Sequence, residues 1–468
     1  MKTSRIFFLS LTIILQHCFY FSVSSSSPLL LPLSHSLSTS KHSHSPLHLL
    51  KSSSSRSSER FRRHHHKRQQ DQLPLPLSSG SDYLLSLSVG SSSSVSLYLD
   101  TGSDLVWFPC RPLTCILCES KPPPSLSSLS PSATTVPCSS PSCSAAHSSL
   151  RSSDLCAISN CPLDLIEIGE CNNSSYPCPP FYYAYGDGSL VARLFSDSLS
   201  LPPLSVANFT FGCAHTTLAE PIGVAGFGRG RLSLPAQLAS FSPRLGDSFS
   251  YCLVSHSFDS ERVRRPSPLI LGRSLDEEKE KRVDDGDKEK VEFVYTELLD
   301  NPKHPYFYSV SLRGISVGKR NIPAPAMLRR VDRNGGGGVV VDSGTTFTML
   351  PAKFYDSVVE EFDSRVGRTV RVPALVLHFA GNGSSVALPR RNYFYEFMDG
   401  GDGREEKRKV GCLMLMNGGD ESELRGGTGA ILGNYQQQGF EVVYDLLNRR
   451  VGFAKRKCAS YWDTLNQG

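Results

Sequence analysis

Val95-Ser96-Leu97-Tyr98-Leu99-Asp100-Thr101-Gly102-Ser103 is an apolar, β-prone run that ends on a carboxylate, a hydroxyl, a glycine and a second hydroxyl. The pattern recurs 242 residues later as Val339-Val340-Val341-Asp342-Ser343-Gly344-Thr345. Glycine lets the backbone fold tightly behind each aspartate, and the neighbouring hydroxyls can hold the carboxylate's orientation. One Asp-Thr/Ser-Gly stretch is ordinary turn composition. Two copies about one domain length apart indicate two similar lobes, each bringing one carboxylate to a shared cleft.

Two carboxylates within hydrogen-bond distance do not both ionise readily, so one keeps its proton and the pair titrates as a unit. Such a pair can take a proton from a water held between them while giving one to an amide carbonyl oxygen, which hydrolyses the bond without a covalent intermediate. Asp100 and Asp342 are therefore the candidate catalytic dyad, with Thr101, Gly102, Ser103, Ser343, Gly344 and Thr345 as its candidate supports. Each half also carries an apolar-apolar-Gly triplet downstream, Val224-Ala225-Gly226 and Ile431-Leu432-Gly433. A strand ending in Gly can run close beside an aspartate loop. Tyr182-Tyr183-Ala184-Tyr185 is β-prone and Gly186-Asp187-Gly188 is a hairpin turn signal, which predicts a mobile lid there.

With 39% hydrophobic and 20% charged residues, the 468-residue chain can bury two good-sized cores. β-type runs separated by turn signals far outnumber helical patterns, so the expected class is mostly β. One helix is predicted over Pro351–Arg365, with Phe354, Val358 and Phe362 on its inner face and Glu360 and Glu361 outward; a shorter one starts at Ser233. Residues 1–25 have the charged start, short apolar run and small-residue end of a secretory signal, and no second stretch is apolar enough to span a bilayer. Residues 26–80 are Ser- and Pro-rich, then basic through Arg62-Arg63-His64-His65-His66-Lys67-Arg68, the composition of a flexible segment with little core. Its cations suit a propeptide seated in an acidic cleft and released as carboxylates protonate; a plain linker has the same composition. Residues 1–72 hold ten Lys/Arg and two Asp/Glu, so the net +5 of the chain belongs to this leader and the remainder is formally acidic. No basic patch with interleaved aromatics remains there, which argues against nucleic-acid binding. Asn172, Asn173, Asn208 and Asn382 each begin an Asn-x-Ser/Thr glycosylation triplet. The mixed-charge stretch Asp276–Lys290 reads as a solvated loop.

Asp100-Thr-Gly-Ser-Asp-Leu-Val-Trp107, Tyr185-Gly-Asp-Gly-Ser189, Phe249-Ser-Tyr-Cys252, Asp342-Ser-Gly-Thr-Thr346 and Ile431-Leu-Gly-Asn-Tyr-Gln-Gln-Gln438, in this order and spacing, resemble the pepsin-like aspartic proteases, closely the plant nepenthesin-like group. The resemblance runs from about Tyr83 to Cys458. It implies a bilobal, mostly β fold with an N-terminal lobe at 81–290 and a C-terminal lobe at 291–468, and acid endopeptidase activity with no metal or organic cofactor. It carries Asp100 and Asp342 as the catalytic pair. Ser103 and Thr345 would hydrogen-bond their outer oxygens, and Thr101 and Ser343 would tie the two loops together. Tyr185 matches the flap tyrosine, followed by Gly186, and Trp107 the tryptophan behind it. The expected partners are polypeptide substrates and the chain's own propeptide, with no nucleic acid and no stable membrane insertion; the chain is expected to be a monomer of the secretory pathway, in the cell wall, extracellular space or vacuole. The rival on the same fold is a non-catalytic binder resembling plant inhibitors of cell-wall glycanases such as xylanases, and a glycosidase is disfavoured because no sugar-stacking aromatic platform stands out.

Nine cysteines, Cys110, Cys115, Cys118, Cys138, Cys143, Cys156, Cys161, Cys171 and Cys178, crowd the stretch 110–178, which in a secreted chain means a disulfide-stapled insertion. Cys115-Ile-Leu-Cys118 lacks the matched second pair a zinc site would need, so it too is expected as a disulfide. Nine is odd, so one of them should reach outside; Cys458 is a candidate partner for it, and Cys213 with Cys252 a candidate second bridge. That leaves Cys412 alone. Relatives in the resembled group carry a further cysteine-bearing loop before the Val372-Pro373-Ala374-Leu375 strand, whereas here Gly367-Arg368-Thr369-Val370-Arg371 runs almost directly into it. A segment is missing, together with the expected partner of Cys412.

Overall fold

The structure is a computed structural model that describes residues 28–39, 46–63, 82–91, 94–118, 128–184, 188–219, 222–273, 292–366, 372–399, 408–421, 424 and 427–467. Val95–Asp100 pairs in parallel with Val224–Gly226, Asp100 standing opposite Gly226. Gly337–Val341 pairs in parallel with Thr428–Leu432 in the same way. In each half the next strand, Val106–Ile116 or Thr348–Leu350, returns antiparallel to the same companion. The companions' terminal glycines are needed for closeness rather than for their dihedrals. A Cβ on Gly226 would lie 2.5 Å from the backbone nitrogen of Leu105, and one on Gly433 2.5 Å from the carbonyl carbon of Phe347. The sequence repeat is therefore a structural repeat, and the mostly β, bilobal architecture is present.

One antiparallel sheet joins the halves, in the order Leu29–His35, Ser267–Leu271, Ser248–Cys252, Phe440–Asp445, Arg450–Lys455, Val294–Leu299. Its centre is buried on both faces. Phe249 stacks on Tyr444 at 4.6 Å, and Glu441 sits fully buried between Arg273, at 2.9 Å, and Arg456, at 3.0 Å. Charges buried to this degree persist only when paired.

The first strand of that sheet corrects the expectation of a flexible leader with little core. Leu29, Leu31 and Leu33 are buried and alternate with exposed Pro32 and Ser34, a period of two that the surrounding serines and prolines mask in composition. The helix Pro46–Arg63 follows and buries Phe61 against Met349, Leu424 and Ile431. Ser57 Oγ accepts a hydrogen bond from the backbone N–H of Phe347 at 3.1 Å, just past the second aspartate loop. The signal, the His64–His66 tract, the 276–290 loop, and Tyr185 with Gly186 lie outside the described residues. Among the described residues no helix is long and apolar enough to cross a membrane.

The expected second-half helix forms over Ala352–Val366 with Phe354, Val358 and Phe362 buried. Glu361, expected to face outward, lies half-buried between Arg365 and Arg320, and the Arg365 hydrogen bond in particular holds its carboxyl below the usual range. Leu234–Phe241 begins at Ser233, whose Oγ accepts from Ala236 N and so satisfies an end N–H of the helix.

All twelve cysteines expected to bridge do so, with two pairings corrected. Cys115–Cys118, Cys138–Cys156, Cys143–Cys178 and Cys161–Cys171 close within the insertion. The cysteine that leaves it is Cys110, and it joins Cys213 rather than Cys458; Cys458 joins Cys252. Sheet register is the reason. Val106–Ile116 runs in parallel beside Leu204–Leu218 with Phe108 opposite Cys213, which places Cys110 and Cys213 with Cα atoms 5.5 Å apart. Cys412 is free among the described residues, as its missing partner predicts.

Candidate active site

Asp100 ends its strand and Asp342 directly follows one, and each begins a turn closed by its own carboxylate. Gly102 N donates to Asp100 Oδ1 at 2.9 Å, and Gly344 N to Asp342 Oδ1 at 2.8 Å. The turns are fastened to each other. Thr101 N donates to Ser343 Oγ at 3.0 Å while Ser343 N donates to Thr101 Oγ1 at 2.9 Å; the hydroxyls in turn donate across the boundary, Thr101 Oγ1 to Val341 O at 3.1 Å and Ser343 Oγ to Leu99 O at 3.0 Å. Four reciprocal bonds among buried groups relate the loops by an approximate twofold, so the residues adjoining the two aspartates meet across the lobe boundary. Asp100 and Asp342 are both buried.

The flanking hydroxyls are not equivalent. Thr345 Oγ1 donates to Asp342 Oδ2 at 2.6 Å, a short bond. Ser103 Oγ, which was expected to do the same for Asp100, is buried and makes no hydrogen bond among the described residues.

Below the loops lies a floor that the sequence reading did not single out. Tyr251 OH donates to Gln437 Oε1 at 2.5 Å and lies 2.8 Å from Tyr444 OH. Gln437 Nε2 donates to Leu432 O at 2.8 Å and to Asp342 O at 3.3 Å, and Tyr444 OH reaches Thr101 Oγ1 at 3.4 Å. Burial, and then the neighbouring phenol, holds the Tyr251 hydroxyl well above its ordinary range, so it stays neutral and available as a donor. The available signal was a tyrosine placed in each of two apolar strands, where a large ring with a polar tip needs a buried partner.

Trp107 is fully buried with Phe181, Leu190 and Tyr98 under the strand Phe181–Ala184 that leads to the expected hairpin. Tyr183 OH on that strand donates to Asp104 Oδ1 at 3.3 Å, and burial raises the Asp104 carboxyl above its usual range. Asn172, Asn173, Asn208 and Asn382 are all exposed. What the arrangement can do chemically follows from its parts: two carboxylates borne on rigidly joined loops, each oriented by a backbone N–H, with neutral donors beneath.

Family models described as Xylanase inhibitor N-terminal and Xylanase inhibitor C-terminal match residues 83–273 and, in two pieces, 307–371 and 367–455. The break falls where the sequence reading placed the missing segment. The chain is 82% identical over 500 residues to a protein described as "Probable aspartyl protease" from Arabidopsis thaliana, covering 99% of this chain and 100% of that one. It is 31% identical over 410 residues to aspartic proteinase nepenthesin-1 of Nepenthes gracilis, covering 81% and 78%. Basic 7S globulin from soybean shares the fold, with a TM-score of 0.55 at 17% identity over 92% of this chain and 96% of that one; conglutin gamma from lupine seeds does so at 0.57.

Proposed function

Because the chain belongs to the plant pepsin-like aspartic protease family, we propose that it is a secreted aspartic endopeptidase that cleaves polypeptides at acid pH. The observation that carries this reading is the reciprocal Thr101–Ser343 hydrogen bonding, which gives two buried aspartate loops one shared, rigid frame. In the proposed reaction Asp100 and Asp342 hold one proton between them and a water between their carboxyls. The ionised member takes a proton from the water, whose oxygen bonds to the amide carbon, and the protonated member gives its proton to the carbonyl oxygen. Collapse of the tetrahedral adduct breaks the C–N bond as the amine nitrogen takes a proton from the dyad. The neutral phenols and Gln437 beneath keep the loops from spreading as charge moves. Residues 26–80 act as the propeptide in this reading, since the helix Pro46–Arg63 packs on residues that directly follow the Asp342 loop.

Purified protein acidified with a denatured polypeptide should cut it, and Asp100→Asn or Asp342→Asn should lower kcat/KM by about 10³-fold or more, followed by mass spectrometry of the products. Correctly folded protein without acid proteolysis would overturn the reading.

A second reading, a non-catalytic binder of glycanases, is favoured by the match to xylanase-inhibitor family models and by the interrupted second-half match beside free Cys412. It requires saturable inhibition of a xylanase by folded protein that the Asn variants leave unchanged.

A further inference from the structure

Three buried titratable side chains outside the dyad converge where the leader meets the body. His35 ends the leader strand, Asp82 precedes the strand Tyr83–Val89, and His256 follows the strand Ser248–Cys252. One nitrogen of each histidine and one carboxylate oxygen lie within 4.8 Å of one another, and the two imidazoles are 4.5 Å apart. Both Nε2 atoms are buried without a hydrogen-bond partner among the described residues.

These are metal-ligand residue types, but the hydrogen bonding argues for a proton instead. His35 Nδ1 accepts from Leu37 N at 3.1 Å and His256 Nδ1 accepts from Phe258 N at 2.9 Å, so each neutral ring carries its hydrogen on Nε2. A metal at Nε2 would need that hydrogen gone while Nδ1 still accepts, whereas metal-bound imidazoles ordinarily donate from the other nitrogen.

We infer that His35, His256 and Asp82 form an acid-released latch that fastens the leader, through residues 29–39 and 46–63, onto the body beside the second aspartate loop, where Asp82 also meets Thr346. Protonating either ring puts an N–H at Nδ1, facing the backbone N–H it formerly accepted from. Protonating both puts two like charges side by side, near the Arg56 guanidinium of the leader helix, which pairs with Asp82 at 3.4 Å. The other groups facing the cluster do not offset this. Tyr83, edge-on to His35, is committed to Val254 O and held neutral by burial, and the Tyr435 ring packs edge-on against His256. Asp82 alone favours the charged rings, and it is shared with Arg56, Thr346 Oγ1 at 3.1 Å and Asn434 Nδ2 at 3.5 Å.

Burial lowers His256 to about 4, with Asp82 opposing and Arg56 assisting, and burial then His256 then Arg56 hold His35 well below its ordinary range. The docked rings thus bind protons more weakly than released ones, whose ordinary value is about 6.5. Docking is complete above that value and is lost as pH falls from it toward about 4. The latch rests on the reading of residues 29–63 as a removable cover.

The test is hydrogen-exchange protection of residues 29–35 and 46–63 in the full chain carrying Asp342→Asn, so that self-cleavage cannot remove them. Protection corrected for intrinsic exchange should fall on the order of 10²-fold between about pH 7 and about pH 4. His35→Asn with His256→Asn, whose side-chain carbonyls can accept from the same backbone N–H groups but take no proton, should flatten the curve to within about threefold. Unchanged protection in the parent across that range overturns the latch whether or not the double variant folds, as does a double variant that opens along the parent's curve. Protection that rises with micromolar zinc and falls with a chelator also overturns it. Acid release without proteolysis by the unaltered chain would leave the latch standing and remove the protease; proteolysis with residues 29–63 still protected would remove the latch alone.

Discussion

The two aspartate loops are near copies in backbone and unlike in what supports them. Both carry an Asp at or just past the end of a strand, bond that Asp's Oδ1 to the N–H two residues on, and lie beside a parallel strand with Gly at or just past its end. Around the first, the strand that follows Asp100 is stapled through Cys110–Cys213, and four further bridges close the adjoining insertion. Around the second, the support is a buried amide network. Gln436 Oε1 accepts from Thr348 N, and its Nε2 donates to Asn392 O and Met414 O; Asn392 Nδ2 donates to Gln436 O and Gln438 O; Gln437 holds Leu432 O. One backbone solution has thus been kept by covalent links in one lobe and by hydrogen bonds shielded from water in the other. The first kind of support constrains the unfolded chain as well, while the second vanishes once water enters.

The sharpest way to break the contrast is at Glu441. Glu441→Ala should cost about 3–5 kcal/mol in urea unfolding, because it removes the buried carboxylate that both Arg273 and Arg456 pair with. Replacing Cys110 and Cys213 together by Ala should cost less, about 2–4 kcal/mol, with the loss of exchange protection centred on Val106–Ile116 and Leu204–Leu218. A reversed order would mean that the covalent link contributes more than the buried ion pairs of the joining sheet. Within the candidate active site, Thr345→Val should lower kcat/KM about tenfold or more, since it removes the bond to Asp342 Oδ2, whereas Ser103→Ala should stay within about twofold. Equal effects would restore the symmetry that the loops lack here. The smallest effect belongs to Cys412→Ser. It should change stability by no more than about 0.5 kcal/mol and abolish the thiol that titrates in unfolded monomer freed of Cys18. Burial pushes that thiol up, so in the folded chain it should alkylate slowly at neutral pH.

Much of this molecule was legible in its sequence, because the decisive signals were local or repeated. A duplicated Asp-Thr/Ser-Gly-Ser/Thr unit named both aspartates and implied two lobes. Spacing of Phe354, Val358 and Phe362 placed the helix to within a residue at each end, and the count of cysteines isolated Cys412. Composition misread the leader: its serines and prolines outweighed the short alternation of Leu29, Leu31 and Leu33, which becomes a strand only because Ser267–Leu271 offers an edge to pair with.

What tertiary structure alone decided was every pairing between distant groups. Cysteine spacing allows many connectivities, and strand register selects Cys110 with Cys213 and Cys252 with Cys458. Tyr251, Gln437 and Tyr444 become a floor only when two distant parts of the chain are laid side by side, and His35, Asp82 and His256 a cluster only when three are. The sequence by itself determined which residues are candidates for the chemistry, since that depends on side-chain type and the turn holding it. Which of them touch depends on sheet order, and sheet order is set by burying apolar faces over the whole chain rather than by any one stretch of it.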